Sequence, residues 1–133
     1  MHDYVRLQTA ILLRRLAFQV SRTAKSADHE AVHDLRVAIR RLNRCLRAFS
    51  QFYPGQSWKK VRRRLSHLMD AAGDVRDRDI AAQMLQEAGM DNGDPAFHVL
   101  RQERTHAARH LTAVLHHWKR QSISRRWREE LGL

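Results

Sequence analysis

The stretch "HDLRVAIRRLNRCLR", His33 to Arg47, carries five arginines and one histidine and, after Asp34, no acid. Guanidinium groups at this density suit one chemistry above others, the bidentate gripping of phosphate or carboxylate oxygens. At 100° per residue, Arg36, Arg40, Arg44 and Arg47 project within about 60° of His33, while Leu35, Ala38, Ile39, Leu42, Cys45 and Leu46 project to the opposite side. One helix face is therefore core and the other a cationic rail, about 16 Å long from Arg36 to Arg47 at 1.5 Å per residue. Like charges at i,i+4, such as Arg36/Arg40 and Arg40/Arg44, cost about 0.2–0.5 kcal/mol per pair. A bound polyanion is expected to offset that cost, with His33 donating a further hydrogen bond.

A second basic run follows. Lys59, Lys60, Arg63, Arg64 and His67 project opposite an apolar stripe of Trp58, Val61, Leu65, Leu68, Met69 and Ala72, so two cationic rails are expected to flank one groove. Between Leu35 and Met69 stand ten Lys/Arg and no Asp or Glu, whereas the remaining 15 basic and 14 acidic residues nearly cancel. The net charge of +11 is thus one patch. Phe49, Phe52 and Trp58 fall on the apolar faces, leaving no aromatic on either rail for base stacking, and no helix-turn-helix pair is evident. A phosphate polymer without bases fits better than nucleic acid, which stands as the alternative.

Other chemistry-bearing residues read as structural. Glu103, His106, His110 and His117 share a helical face at ligand-like spacing, but a polar outer face with scattered histidines accounts for them more simply than a metal. Asp70, Asp74, Asp77 and Asp79 fit helix capping and ion pairs with Arg76 and Arg78, although a metal-dependent phosphohydrolase is the more distant alternative they leave open. Cys45, the only cysteine, reads as a buried inert thiol and rules out an internal disulfide. No nucleophile elbow, P-loop or zinc-protease motif is present, so neither catalysis nor a cofactor is expected.

The elements that position these residues are helices, since only two prolines and five glycines interrupt the chain and no strand-like alternation appears. One helix is expected from Tyr4 to Lys25, capped by Asp3, and a second from after Asp28 to the Pro54-Gly55 turn. A third spans Ser57 to Ala72 and ends at Gly73. "DVRDRD" then serves as a connection in which Asp74 or Asp77 caps a fourth helix, running to Gly89. Asp94-Pro95 opens a fifth, to about Lys119, and Ser122 or Ser124 opens a short sixth around Trp127. The expectation is an all-α antiparallel bundle of about six helices, one domain over residues 1–133. The arginine-rich "ILLRRLAFQV" excludes a secretory leader or membrane span, and a cytoplasmic setting follows.

"VHDLRVAIRRLNRCLRAF" followed by "GDVRDRDI" resembles the CHAD domain. The first motif matches H-x-x-R-V-x-x-R-R at His33, Arg36, Val37, Arg40 and Arg41, with Arg47 and Phe49 in its continuation. The second matches G-x-x-R-D-x-D at Gly73, Arg76, Asp77 and Asp79. Arg101, Arg104, Ala108 and Arg109 fit the family's arginine-bearing helix, and "SISRRWREEL" resembles its ending. The resemblance implies a non-catalytic helical domain that binds inorganic polyphosphate in a basic pore, and a location at polyphosphate granules is the matching expectation. The residues it implicates are His33, Arg36, Arg40, Arg41 and Arg47. Arg44, Lys60, Arg63, Arg64, Arg101, Arg104 and Arg109 are expected as further lining. Asn43 departs from the pattern, standing where a basic residue is usual. The chain also matches only one of the two facing bundles of a full CHAD domain, so a homodimer is the expected way to complete the pore.

Overall fold

The computed structural model describes residues 1–133 and contains five helices and no strand. They are α1 (His2–Lys25), α2 (His29–Ala48), α3 (Ser57–Glu87), α4 (Pro95–Arg120) and α5 (Ile123–Glu130), with a 3₁₀ turn at Ser50–Phe52. α1 packs on α2 and α4, and α3 packs on the same two. The four long helices thus form a bundle with α2 and α4 at opposite corners.

Local chemistry sets most of the boundaries. The Asp28 carboxylate accepts the Ala31 amide at 2.8 Å to start α2, and Asp94 accepts the Ala96 amide at 2.9 Å to start α4, with Pro95 in the first turn. Each bond satisfies one of the amides that a helix N-terminus leaves without a partner. Asp3 is not a cap: α1 begins at His2, and Asp3 lies inside its first turn, where a negative charge favours the helix N-terminus. Gly55 and Gly89, with φ of +58° and +82°, make the turns that end the second segment and α3.

The largest departure from the sequence reading is at Gly73. Residues 57–87 form one 31-residue helix, so the expected third and fourth helices are one and the bundle has five helices, not six. Gly73 has an ordinary helical φ, and the buried stripe of Val61, Leu65, Leu68, Ala71, Ala72 and Val75 runs straight past it. A mid-helix glycine costs about 1 kcal/mol relative to alanine, less than burying this stripe returns. Asp74 and Asp77 are therefore mid-helix residues and cap nothing.

The core is built from leucines on all four long helices, among them Leu16, Leu42, Leu65 and Leu111. α5 folds across one end, placing Trp127 edge-on against Trp118 at 4.9 Å between ring centroids. One polar group of side chains lies inside. The Tyr53 hydroxyl and Thr9 Oγ1 share a hydrogen bond of 2.7 Å, Thr9 Oγ1 also bonds the Val5 carbonyl at 2.7 Å, and Cys45 Sγ sits 3.6 Å from the Tyr53 oxygen. Cys45 is buried as expected. Burial pushes the Tyr53 phenol well above its ordinary pKa, and the thiol beside it adds to the shift against the opposing Thr9 hydrogen bond.

Candidate anion-binding groove

The cationic face of α2 meets α3 along a seam. Arg62 of α3 donates through Nε to Asn43 Oδ1 of α2 at 2.8 Å, which fixes the edges that the two helices turn toward each other. By helical spacing, the same edge of α3 carries Ser66, Met69, Gly73, Arg76 and Asp77. On α2 the matching edge carries Arg36, with Arg40 and Arg47 beside it. A Cβ built on Gly73 meets nothing within 4 Å, so this wall of the seam is open at that turn.

Arg36 is the centre of the site. It is half-buried, and its Nε is cut off from solvent without any hydrogen-bond partner, alone among the buried side-chain nitrogens and oxygens of the protein. Burial lowers its pKa first, the neighbouring charges of Arg40 and Arg76 lower it further, and Asp77 opposes them. A half-buried cation crowded by cations, with one nitrogen cut off from water, is in an environment that favours an anion.

Asp77 is the one carboxylate that acts on Arg36, and it forms no ion pair with it; the other acids nearby are engaged elsewhere. Asp34, the one acid on the turn of His33, is drawn off the rail by Arg22 of α1, whose Nη1 donates to it at 2.6 Å. That bond is the main cause raising the Arg22 pKa. Asp79 is taken by Arg104 at 2.6 Å and lies 3.6 Å from His29 Nδ1, and Glu103 is taken by Arg78 at 3.4 Å. None of Arg36, Arg40, Arg44 and Arg47 enters an ion pair.

Of the residues expected from sequence, His33, Arg36, Arg40, Arg44 and Arg47 lie on the one exposed face of α2. Arg41 sits toward α1, lining a hollow with Arg15 and Phe18. The two-rail groove does not form as expected, because Lys60 and Arg63 point outward between the α2 and α4 edges of α3 and Arg64 points to the α4 side. Helical phase places those residues opposite the core stripe, but which flank of that arc meets α2 depends on the packing. Arg101 and Arg109 line a shallow depression built wholly from α4, at the corner of the bundle diagonal to α2. Arg104 reaches back to the α1–α2 turn, donating to the Ala27 carbonyl at 2.9 Å as well as to Asp79.

Three further groups stand at the seam that the sequence reading did not place in the site. Arg76 approaches Arg36, and its signal was present as the arginine of "GDVRDRD". Arg62 was visible only as a member of the basic run. His29, 3.4 Å from an Arg76 Nη, stands one helical turn before His33. Asn43, the departure from the family pattern, holds Arg62 in place. Glu103, His106 and His110 border a hollow with Asp74 and Arg78, and no group of three His, Cys, Asp or Glu side chains is placed to hold a metal ion.

The fold and the seam define an all-helical bundle with a row of arginines on α2 that enter no ion pair. Comparison with protein families matches the CHAD domain over residues 8–132, nearly the whole chain, and the chain belongs to that family. CHAD domains are associated with polyphosphate binding and are in general non-catalytic. No curated protein and no solved structure matches the chain. No helix is long and apolar enough to cross a membrane.

Proposed function

We propose that this protein binds inorganic polyphosphate, without catalysis, along the α2–α3 seam. The observation that carries the reading is Arg36: a buried, unpartnered Nε beside Arg40 and Arg76, with Asp34 and Asp79 engaged elsewhere and Asp77 close enough to act on it but in no ion pair with it. Successive phosphates run along the rail past Arg40, Arg44 and Arg47, and His33 and Arg76 close the end nearer the α1–α2 turn. A phosphate at the level of Gly73 approaches the α3 backbone where no side chain intervenes.

The reading includes residues 1–133 acting as one half of a two-bundle pore. A second copy supplies the opposing wall, and the exposed Tyr4, Leu7 and Phe18 along α1 offer apolar surface for that contact. Polyphosphate then strengthens the dimer by mass action. The setting we assign is the cytoplasm, at polyphosphate granules, which imaging of a fluorescent fusion against stained granules tests.

Calorimetric titration with long-chain polyphosphate, read beside the mass in solution, tests the function. Arg36→Ala with Arg40→Ala is expected to weaken binding at unchanged helicity. Affinity falls steeply with salt for any polyanion, so competition separates the ligands. Displacement of labelled polyphosphate by an oligonucleotide at equal phosphate concentration makes the protein a nucleic-acid binder. Phosphate release from tripolyphosphate with magnesium, lost on Asp77→Asn, makes it an enzyme. A monomer with and without polyphosphate removes the second copy.

A further inference from the structure

The opposite flank of α3 carries a second group of cations that the groove does not use. Between α3 and α4, Arg64, His67, His110 and His117 ring a hollow of about 360 Å³. Its floor is apolar, formed by Leu68, Trp118 and Ile123, all buried. Spacing brings the rim together: Arg64 and His67 are one turn apart on α3, and His110 and His117 are two turns apart on α4, facing the same seam. The floor is firm, since Trp118 is held edge-on by Trp127.

The ionisable side chains that line this hollow are all basic. No Asp or Glu lines it, and α5 contributes only Ile123. Carboxylates stand close by: Asp70 is one turn from His67 on α3, and Asp74 and Glu103 line the adjoining hollow, which His110 borders as well, with Glu103 paired to Arg78. His117 stands in the last turn of α4 with Lys119 and Arg120, where the helix dipole favours a cation. The formal charge of the rim is +1 with Arg64 alone and +4 when the three imidazoles are also protonated.

A cationic rim over an apolar floor, at the small end of the range for ligand sites, selects a ligand with two parts. We propose that this hollow is a second, pH-dependent binding site for a small aromatic anion, its ring against Trp118 and Leu68 and its carboxylate or phosphate among Arg64, His67, His110 and His117. Imidazole is the side chain that changes charge between about pH 5 and pH 8, so the site strengthens on acidification. It is independent of the polyphosphate groove, which lies on the other flank of α3.

The test is a titration of the protein with benzoate, whose own charge is constant over the range, at about pH 6 and about pH 8, read from histidine and tryptophan side-chain NMR signals. Binding is expected to move the His67, His110, His117 and Trp118 signals and to be about tenfold tighter at the lower pH. The His110→Gln/His117→Gln variant, altered only at exposed side chains, is expected to lose that pH dependence, while Arg36→Ala/Arg40→Ala keeps it. Equal binding of sulfate, which has no ring, overturns the proposal, as does pH-independent binding or a response confined to the α2 rail. Zinc perturbing the same histidines with no response to benzoate reassigns the hollow to a metal and equally overturns it.

Discussion

Arg36→Met separates a structural arginine from a binding one, because the two roles predict opposite signs. In the free protein the Arg36 Nε is buried without a partner, and an unsatisfied buried donor costs about 1–3 kcal/mol. Only one nitrogen of the fork is known to be cut off and the residue is half-buried, so the lower end applies. Repulsion from Arg40 and Arg76 adds to the cost, and attraction to Asp77 subtracts from it. Methionine keeps most of the apolar stem and removes the charge. The variant is therefore expected to be more stable than the parent by about 1 kcal/mol, seen as a rise of about 3–5 °C in Tm for a chain of this length. The same change removes a charge-assisted hydrogen bond to phosphate worth about 1.5–3 kcal/mol, weakening polyphosphate binding about 10- to 100-fold. Urea unfolding without ligand and calorimetry with ligand, at one fixed salt concentration, give the two numbers. A variant destabilised by more than about 1 kcal/mol with unchanged affinity would refute the reasoning and make Arg36 an ordinary packing residue.

Gly73→Ala is expected to stabilise by about 1 kcal/mol, since the added methyl meets nothing. A helix end at that position gives a loss instead in thermal unfolding. Asp79→Asn breaks the Arg104 pair at a carboxylate only 13% exposed. With Arg104 itself partly in water, a loss of about 2–3 kcal/mol is expected from urea unfolding, and a change below about 0.5 kcal/mol contradicts it. Tyr53 makes stability sensitive to alkali. Its folded pKa is raised, so the folded protein holds this proton more tightly than the unfolded chain. The contribution is complete below about pH 10 and falls by about 1.4 kcal/mol per pH unit above it. Tyr53→Phe is expected to flatten that decline, and an identical slope in the two proteins refutes the assignment.

The two-sided character of α2 was legible because it is a local property: Asp28 caps it, apolar residues repeat at 3.6, and every arginine of the rail falls in one arc. Asp94-Pro95 was legible for the same reason. Gly73 was misread because a glycine followed by three aspartates in seven residues looks like a helix end when only neighbours in sequence are weighed. What continues the helix is an apolar stripe buried against other elements, together with Arg104, the partner of Asp79 from 25 positions away. The groove was half legible. Helical phase separates core from surface on α3, but which flank faces α2 depends on Asn43 meeting Arg62, a contact 19 residues apart that no periodicity encodes.

The apolar core stops before α3 does. Past Val75 no α3 residue is buried, and on α4 only Phe97 is buried before Ala107, with Met84 left 62% exposed. The far part of the α3–α4 hairpin is held together by the Arg104–Asp79 pair and tethered to the rest by the Arg104 bond to the Ala27 carbonyl and by His29 beside Asp79 and Arg76, so it forms a unit able to open while the bundle stays shut. Arg76 stands at the root of that arm and Arg36 on the fixed body. An anion gripped by both spans the joint as a staple does, slowing amide exchange along Ala81–Glu87, beyond the reach of the phosphate.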